Sequence, residues 1–231
     1  AEAKYEQLLV DNVVTLINGI GTVTIESGAK IRAARTAYDD LTEARKRKIS
    51  NVAVLTAAEA EYTKVCQAKA NELLGKMRLK NDEVRKMKFY YPMHFPYYPD
   101  LGYWAADVRS FALPYIGMND NKVWMNFVCH YTDDDWIFFE DVTFAVDEER
   151  YYKSFDYFDV ERDNDSGDVW ETATIHVTDS DIEMMWAIVN SEKTIVRFSG
   201  DYTEDVVVSQ ADKAAIKEAL VVYEVLQQVK G

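Results

Sequence analysis

The stretch at residues 136–147, WIFFEDVTFAVD, constrains the fold of this chain more than any other. Successive side chains on a β-strand point to opposite faces of a sheet, so alternate residues share one face. One alternating set is almost wholly apolar and consists of Trp136, Phe138, Glu140, Val142, Phe144 and Val146. Such a face must lie against a core, and the pattern therefore predicts a central strand of a sheet.

The residues around this stretch predict further strands and two late helices. Alternating or β-rich segments predict strands at 122–131, 151–155, 158–161, 168–177, 194–198 and 206–208. Short connections favour antiparallel pairing, because a parallel crossover needs a dozen or more residues. Thr178 with Asp181, and Ser209 with Asp212, are typical of helix N-termini and predict two helices late in the chain.

The first 87 residues predict three helices. Apolar residues recur at spacings of three and four, with a first helix that ends within 19–21 and a second that starts around Ser27. Thr56 and Glu59 have the spacing of a capping box, so a third helix is expected from there to about Met87. Short connections between three helices favour an antiparallel bundle.

The composition changes abruptly at Phe89, where the segment FYYPMHFPYYPDLGYW begins. Three of the four prolines lie in this segment, and proline lacks an amide donor and disfavours helix at the preceding residue. We therefore predict two domains, a three-helix bundle repeat at 1–87 and an acidic domain with mainly antiparallel sheet at 88–231. The expected fold class is α+β, with an N-terminal three-helix bundle and a C-terminal antiparallel β-sheet domain that has two late helices.

Charge is divided unevenly between these two parts. Residues 1–87 hold 15 Lys and Arg against 12 Asp and Glu, whereas residues 88–231 hold 11 against 28. Such an acidic surplus repels the phosphates whose neutralisation supplies most nucleic-acid affinity, so no nucleic-acid partner is expected. No stretch approaches the roughly 18 apolar residues of a membrane span, so no transmembrane segment is expected in this chain.

Residues 10–66 contain ordered phrases as well as a helical period. Among these phrases are IGTVT at 20–24, AKIRAARTAYDDLT at 29–42 and LTAAE at 55–59. They resemble a helical repeat, often found in tandem, of surface and secreted proteins of Gram-positive bacteria. The resemblance implies a spacer or presentation module outside the cell.

The segment 45–48, RKRK, departs from this repeat, which usually has a polar segment before its third helix. Two interpretations are open for these four residues. They contact an anionic wall polymer, or they form a basic turn that faces water.

The second part of the chain carries a separate likeness. The phrases DDWIFFEDVTFAVDEERYYKSFDYFDV, GDVWE and AIKEALVVYEVL resemble an uncharacterised β-rich C-terminal domain of Gram-positive surface proteins and lipoproteins. The likeness implies an extracellular or cell-surface location. We expect the signal or anchor that such a location requires to lie outside this chain.

Aromatic residues in the proline-rich segment predict a stacking surface. Tyr97, Tyr98, Tyr103 and Trp104 offer ring area, which suits both sugar rings and partner peptides. We predict a ligand platform at these four residues. The alternative is that the aromatic residues fill the seam between the two domains.

Two glutamates, Glu140 and Glu171, fall on the apolar parity of predicted strands. Buried carboxylates with raised pKa values are typical of acid–base enzymes, so this pair is the catalytic candidate. A β-bulge, an edge position or an ion pair with Arg197 would account for them without catalysis.

The segment 163–168, DNDSGD, has the alternating oxygen atoms that calcium prefers, with Asp163, Asp165 and Asp168 as candidate ligands. Thr174 stands at the twelfth position, where an EF-hand has a bidentate glutamate, so a hairpin turn is the alternative. Structural or surface roles are expected for the three histidines, His94, His130 and His176. The sequence contains no cofactor-binding motif and predicts no cofactor.

These patterns and resemblances favour a non-enzymatic module at the surface of a Gram-positive bacterium or secreted by it. Its role would be adhesion, ligand presentation or structural spacing, and its partner a host or cell-wall protein or glycan. The alternative is a carbohydrate-active hydrolase or lyase that uses Glu140 and Glu171.

Overall fold

The computed structural model describes residues 2–98, 103–104, 108–165 and 167–230. The chain forms two compact units, the first ending at Asn71 and the second beginning at Glu72. The first unit is helical, and the second contains antiparallel sheets and two late helices, which confirms the α+β fold class. The division lies earlier than the boundary expected at residues 87 and 88.

The first unit is built from three long helices and one short helix. Their bounds are α1 Glu2–Asn18, α2 Gly28–Asp39, α3 Glu43–Lys46 and α4 Val52–Leu74. Arg35 on α2 donates from Nε and Nη2 to both carboxylate oxygens of Glu59 on α4, at 2.6 Å each. Asn51, just before α4, donates from Nδ2 to Oδ1 of Asn18 at 2.9 Å. These contacts join α4 to both α1 and α2, as a three-helix bundle requires.

Two expectations for the third helix are wrong. Helix α4 begins at Val52, so Thr56 lies inside it and donates to the Val52 carbonyl at 3.4 Å instead of capping the helix. The helix also ends at Leu74 rather than near Met87, because residues 78–82 and 87–91 form an antiparallel hairpin. The hairpin pairs with the distant strand 111–118, and the spacing of apolar residues along the sequence does not predict such a pairing.

The second unit contains two main sheets. Its strands are β1 Arg78–Asp82, β2 Met87–Tyr91, β3 Tyr97–Tyr98, β4 Tyr103–Trp104, β5 Phe111–Met118, β6 Val123–Asp133, β7 Asp141–Val146, β8 Glu149–Ser154, β9 Val160–Asp165, β10 Asp168–His176, β11 Thr194–Ser199 and β12 Thr203–Val207. The first sheet has the order β1-β2-β5-β6-β10-β9, the second has the order β12-β11-β7-β8, and β3 pairs with β4. All these pairings are antiparallel, as the short connections predict.

Strand β6 has the longest unbroken run of buried residues in the first sheet. Its residues 125–131 are all buried, so both faces of the sheet are covered here. On one face, the Phe127 ring lies 5.6 Å from that of Phe144 in the second sheet. On the other face, His130 stacks on Phe111 of β5 at 5.0 Å. The core of the second unit therefore extends to both sides of β6.

The stretch 136–147 forms a shorter strand than its alternation predicts. Only β7 is a strand, and it lies between β11 and β8 in the second sheet. Residues 136–140 are irregular, and Phe138 has a φ of 49°, in the left-handed region that bulky residues rarely adopt. The buried positions switch from odd to even residue numbers after this turn. The buried residues are Ile137, Phe139, Val142, Phe144 and Val146.

Both predicted caps of the late helices are confirmed. Helix α5, Asp179–Asn190, begins with a capping box between Thr178 and Asp181. Helix α6, Gln210–Lys230, is preceded by Ser209, whose amide and hydroxyl donate to Oδ2 of Asp212 at 2.9 and 2.7 Å. Helix α6 packs against α5, β5 and β6.

Lys213 connects α6 to the C-terminal end of α5. Its side chain is buried, and Nζ donates to the carbonyl and the hydroxyl of Ser191 at 2.7 and 2.8 Å. The last carbonyls of a helix lack intrahelical donors and carry partial negative charge. A buried ammonium at this position supplies the missing donors and compensates this charge.

We expect Lys213→Met to lower the free energy of unfolding of the second unit by about 1–3 kcal/mol, because buried acceptors lose their donor. Urea unfolding followed by tryptophan fluorescence reports this unit alone, since all five tryptophans lie after Glu72. Lys217→Met, at an exposed position of the same helix, is the matched control and should change stability by less than about 0.5 kcal/mol. Equal losses in the two variants would contradict this account.

Candidate functional site

Glu171 on β10 is fully buried, and its carboxylate accepts four hydrogen bonds. Oε1 accepts from the amides of Ile137 at 2.9 Å and Phe138 at 2.7 Å. Oε2 accepts from the amide of Phe139 at 3.0 Å and from Nε of Arg162 at 3.1 Å. Three successive amides converge on one carboxylate because Phe138 has left-handed backbone geometry, which is how short segments form anion-binding concavities.

Arg162 connects this loop to a second turn. It lies directly opposite Glu171 in the β9–β10 pair, and its guanidinium is largely buried. Nη1 donates to the carbonyl of Tyr157 at 2.8 Å, and Nη2 donates to that of Phe139 at 3.3 Å. The Glu171–Arg162 pair therefore fixes both the 136–140 loop and the short helical turn Tyr157–Asp159.

The two fixed segments present four aromatic side chains, Trp136, Phe138, Tyr157 and Phe158, here called the aromatic cluster. Phe158 is 93% exposed, Tyr157 51% and Phe138 38%. Trp136 and Phe138 stack at 5.8 Å and 20°, and Tyr157 meets Phe158 edge-on at 5.4 Å. The Arg162 guanidinium lies 5.6 Å from the Phe138 ring and 4.4 Å from the Tyr157 ring, which links the two pairs.

Acidic residues flank the rings of the aromatic cluster along the chain. The segments that carry its rings, 133–141 and 156–159, contain seven acidic residues and no basic residue. All seven are exposed, and they are Asp133, Asp134, Asp135, Glu140, Asp141, Asp156 and Asp159. None of them forms an ion pair with a described residue. The two segments that carry the rings therefore have a strong negative charge, and the guanidinium of Arg162 is compensated by Glu171.

The two glutamates predicted as a catalytic pair have different environments. Glu171 is buried as its parity predicts, but its carboxylate is enclosed and engaged by four donors, so no substrate reaches it in this structure. Glu140 is exposed, because the turn at Phe138 shifts the alternation. Arg197, the suggested ion-pair partner, instead binds Asp205 at 2.6 and 2.7 Å.

The predicted platform is described only at Tyr97, because the side chains of Tyr98, Tyr103 and Trp104 lie outside the described residues. The Tyr97 ring is half-buried and lies 5.8 Å from that of Tyr91. Tyr91 in turn stacks on Tyr115 of β5 at 4.9 Å. Tyr97 and its described neighbours therefore extend the core of the second unit.

The predicted calcium ligands lie on a β-hairpin. Asp165 pairs with Asp168 across the turn, and Asp163 pairs with Trp170. The Asp163 carboxylate accepts from the Asn164 amide at 2.9 Å. Within the described ranges, no group of three or more His, Cys, Asp or Glu side chains converges in a way that would hold a metal ion.

Two histidines take part in separate polar contacts on the first sheet. Nδ1 of His130 lies 2.8 Å from the Thr172 hydroxyl, and Nδ1 of His176 lies 2.8 Å from Oδ1 of Asn126. Burial lowers the pKa of His130 from 6.5 to about 3, so this ring is neutral at ordinary pH. These contacts join neighbouring strands and have no arrangement typical of a nucleophile and its base.

His94 belongs to a cluster around the buried Asp212. Oδ1 of Asp212 lies 3.1 Å from Nε2 of His94 and also accepts from Arg109, while Oδ2 accepts from Ser209. Burial alone would raise the pKa of the Asp212 carboxyl, but the hydrogen bonds from Ser209 and the nearby Arg109 outweigh burial and lower it. The aspartate lies between Ser209 and the histidine, so the histidine cannot act as the base of a serine nucleophile.

Asp181 completes the set of buried carboxylates in the described chain. Its Oδ2 accepts from the amide and hydroxyl of Thr178 at 2.9 and 2.7 Å, and its Oδ1 pairs with Lys153 of β8. Burial would raise the pKa of Asp181, but the hydrogen bonds from Lys153 and Thr178 lower it overall. Glu171, Asp181 and Asp212 therefore all hold parts of the chain together.

Comparison with protein-family models, curated proteins and solved structures found no match to this chain. None of the described helices combines the length and the apolarity needed to cross a membrane. The candidate site rests on the geometry of the described residues alone. It is the aromatic cluster next to the Glu171–Arg162 pair.

We expect Glu171→Gln to lower the free energy of unfolding of the second unit by about 3 kcal/mol, because Arg162 is left buried without its counter-charge. Glu140→Gln, the matched control at the exposed position, should change stability by less than about 0.5 kcal/mol. Urea unfolding followed by tryptophan fluorescence measures both variants. If the Glu171→Gln variant were as stable as the wild type, the Glu171–Arg162 pair would not be what holds the 136–140 loop.

We expect the second unit to lose about 1.2 kcal/mol of stability between pH 6 and pH 5 because of His130. The folded state binds this proton only below about pH 3, whereas the unfolded chain binds it below about 6.5, so acid favours unfolding. His130→Gln should flatten the slope, while His176→Gln at an exposed position should keep it. Identical slopes in all three proteins, from urea unfolding at each pH, would refute this origin.

Proposed function

We propose that this chain is a non-enzymatic module of the surface or the secreted fraction of a Gram-positive bacterium, for adhesion, ligand presentation or structural spacing. In this proposal the helical unit acts as the spacer, and the second unit binds a partner through the aromatic cluster. The proposal takes its location from the resemblances of both parts of the sequence, and its mode of action from the geometry of the second unit.

One observation carries the binding role. The buried pair of Glu171, which accepts four hydrogen bonds, and Arg162, which donates to the Tyr157 carbonyl, holds two turns whose aromatic rings face solvent. Exposed rings of this size are costly in water, and clustered aromatic residues on a surface are typical of binding sites. The buried ion pair fixes the two turns that carry the rings and so limits the motion of the rings. Less entropy is then lost on binding.

The hydrolase or lyase alternative receives less support from the same residues. General acid–base catalysis requires a group within hydrogen-bond reach of the substrate. Glu171 is enclosed, so the exposed Glu140 is the one member of the predicted pair that a substrate could reach. A binding role requires neither group to be accessible.

The location is tested by immunolabelling cells of the organism that encodes the chain, before and after permeabilisation, or by immunoblotting of its culture medium. We expect labelling of intact cells or protein in the medium, with a cytosolic protein as the control that is labelled only after permeabilisation. Labelling confined to permeabilised cells, with none in the medium, would contradict the proposal.

A further inference from the structure

We propose that the aromatic cluster binds an exposed arginine-bearing segment of another protein. This inference rests on the proposed binding role and adds the chemistry of the partner. It depends on three features of the described residues: rings open to solvent, carboxylates without counter-charges, and a guanidinium already stacked on two of the rings.

The open rings provide the contact area. Phe158 is 93% exposed and meets Tyr157 edge-on at 89°, so most of its ring surface is available to a partner. Trp136 and Phe138 stack on each other at 20° within the 136–140 loop and add a second pair of rings to the surface. Trp, Tyr and Phe are enriched in the buried cores of protein interfaces, and Trp and Tyr also among the residues that contribute most of the binding energy.

Backbone strain supports a role for Phe138 in binding. The residue is held at a φ of 49°, a conformation that costs of order 1–3 kcal/mol for a residue other than glycine. Its ring is partly exposed, so the strain serves the Glu171 contact and the display of the ring more than core packing. Strained residues of this kind occur preferentially at ligand-binding and active sites.

The negative charge of the segments that carry the rings favours a partner with positive charge. Seven exposed carboxylates lie in the two segments that carry the rings, and no basic residue lies in those segments. A neutral sugar would cover these carboxylates without compensating their charge, and an anionic polymer would be repelled. A cationic segment compensates the charge and is attracted from a distance, more strongly at low ionic strength.

The stacked guanidinium of Arg162 indicates which cation fits. It lies 4.4 Å from the Tyr157 centroid and 5.6 Å from that of Phe138, so these rings already accept a planar cation. A guanidinium stacks on aromatic faces and keeps its in-plane donors for carboxylates, whereas an ammonium is a compact, strongly hydrated charge. We therefore expect arginine to be preferred to lysine.

Binding of fluorescent oligo-arginine and oligo-lysine peptides of equal length, measured by fluorescence anisotropy at low and physiological salt, tests the proposal with the full 231-residue chain. Wild type should bind oligo-arginine more tightly than oligo-lysine. Phe158→Ala should weaken oligo-arginine binding about three- to fivefold, as expected for one exposed cation–π contact. Tyr152→Ala, which removes an aromatic ring that is 70% exposed on β8, is the matched control and should bind like wild type.

A second variant separates the rings from the carboxylates. Asp134→Asn combined with Asp135→Asn should weaken both peptides to a similar extent, because it removes attraction without removing a ring. If only this variant weakens binding and Phe158→Ala does not, the binding is diffuse attraction to an acidic unit and the proposal is overturned. The same conclusion follows if neither peptide binds at low salt.

Two further measurements examine other occupants. A glycan array on which hits are lost in Phe158→Ala would assign the cluster to a sugar, and a concentration-dependent dimer lost in the same variant would assign it to a second copy of the chain. Either result overturns the proposed partner. A cytosolic location would overturn the proposed location while leaving the peptide result intact, so the two failures are distinguishable.

Discussion

The hydrogen bonding of one buried carboxylate determines the local structure around the candidate site. Removing a carboxylate from water costs several kcal/mol unless donors replace its hydration, and Glu171 is fully buried. Arg162 supplies one donor, and three consecutive amides at 137–139 supply the others. Three consecutive amides cannot point to one place from an extended strand, where they alternate in direction, so the chain turns at Phe138.

The same interaction connects the two sheets of the second unit. Glu171 belongs to the first sheet, whereas the loop that it holds leads directly into β7 of the second sheet. The turn at Gly200, between β11 and β12, packs closely on this loop, since a side chain there would lie 2.1 Å from the Ile137 carbonyl oxygen. The loop is therefore held from the first sheet by a carboxylate and from the second sheet by a close backbone contact.

The sequence predicted those parts of the fold whose causes are local. The caps at Thr178 and Ser209 were correct because a cap depends on residues within one turn of the helix. The hairpin 78–91 and the irregular segment 136–140 were missed, because strand pairing and a distant carboxylate override local periodicity.

Arg162 could have been found from the sequence. Within the hairpin considered at 163–168, a two-residue turn at the Ser166–Gly167 dipeptide would pair residue 165 with 168 and therefore Arg162 with Glu171, which is the observed register. An arginine directly across from a glutamate on the buried parity predicts an ion pair within the sheet. The sequence carries no comparable signal for the exposure of Phe138, because its burial depends on the turn that the carboxylate imposes.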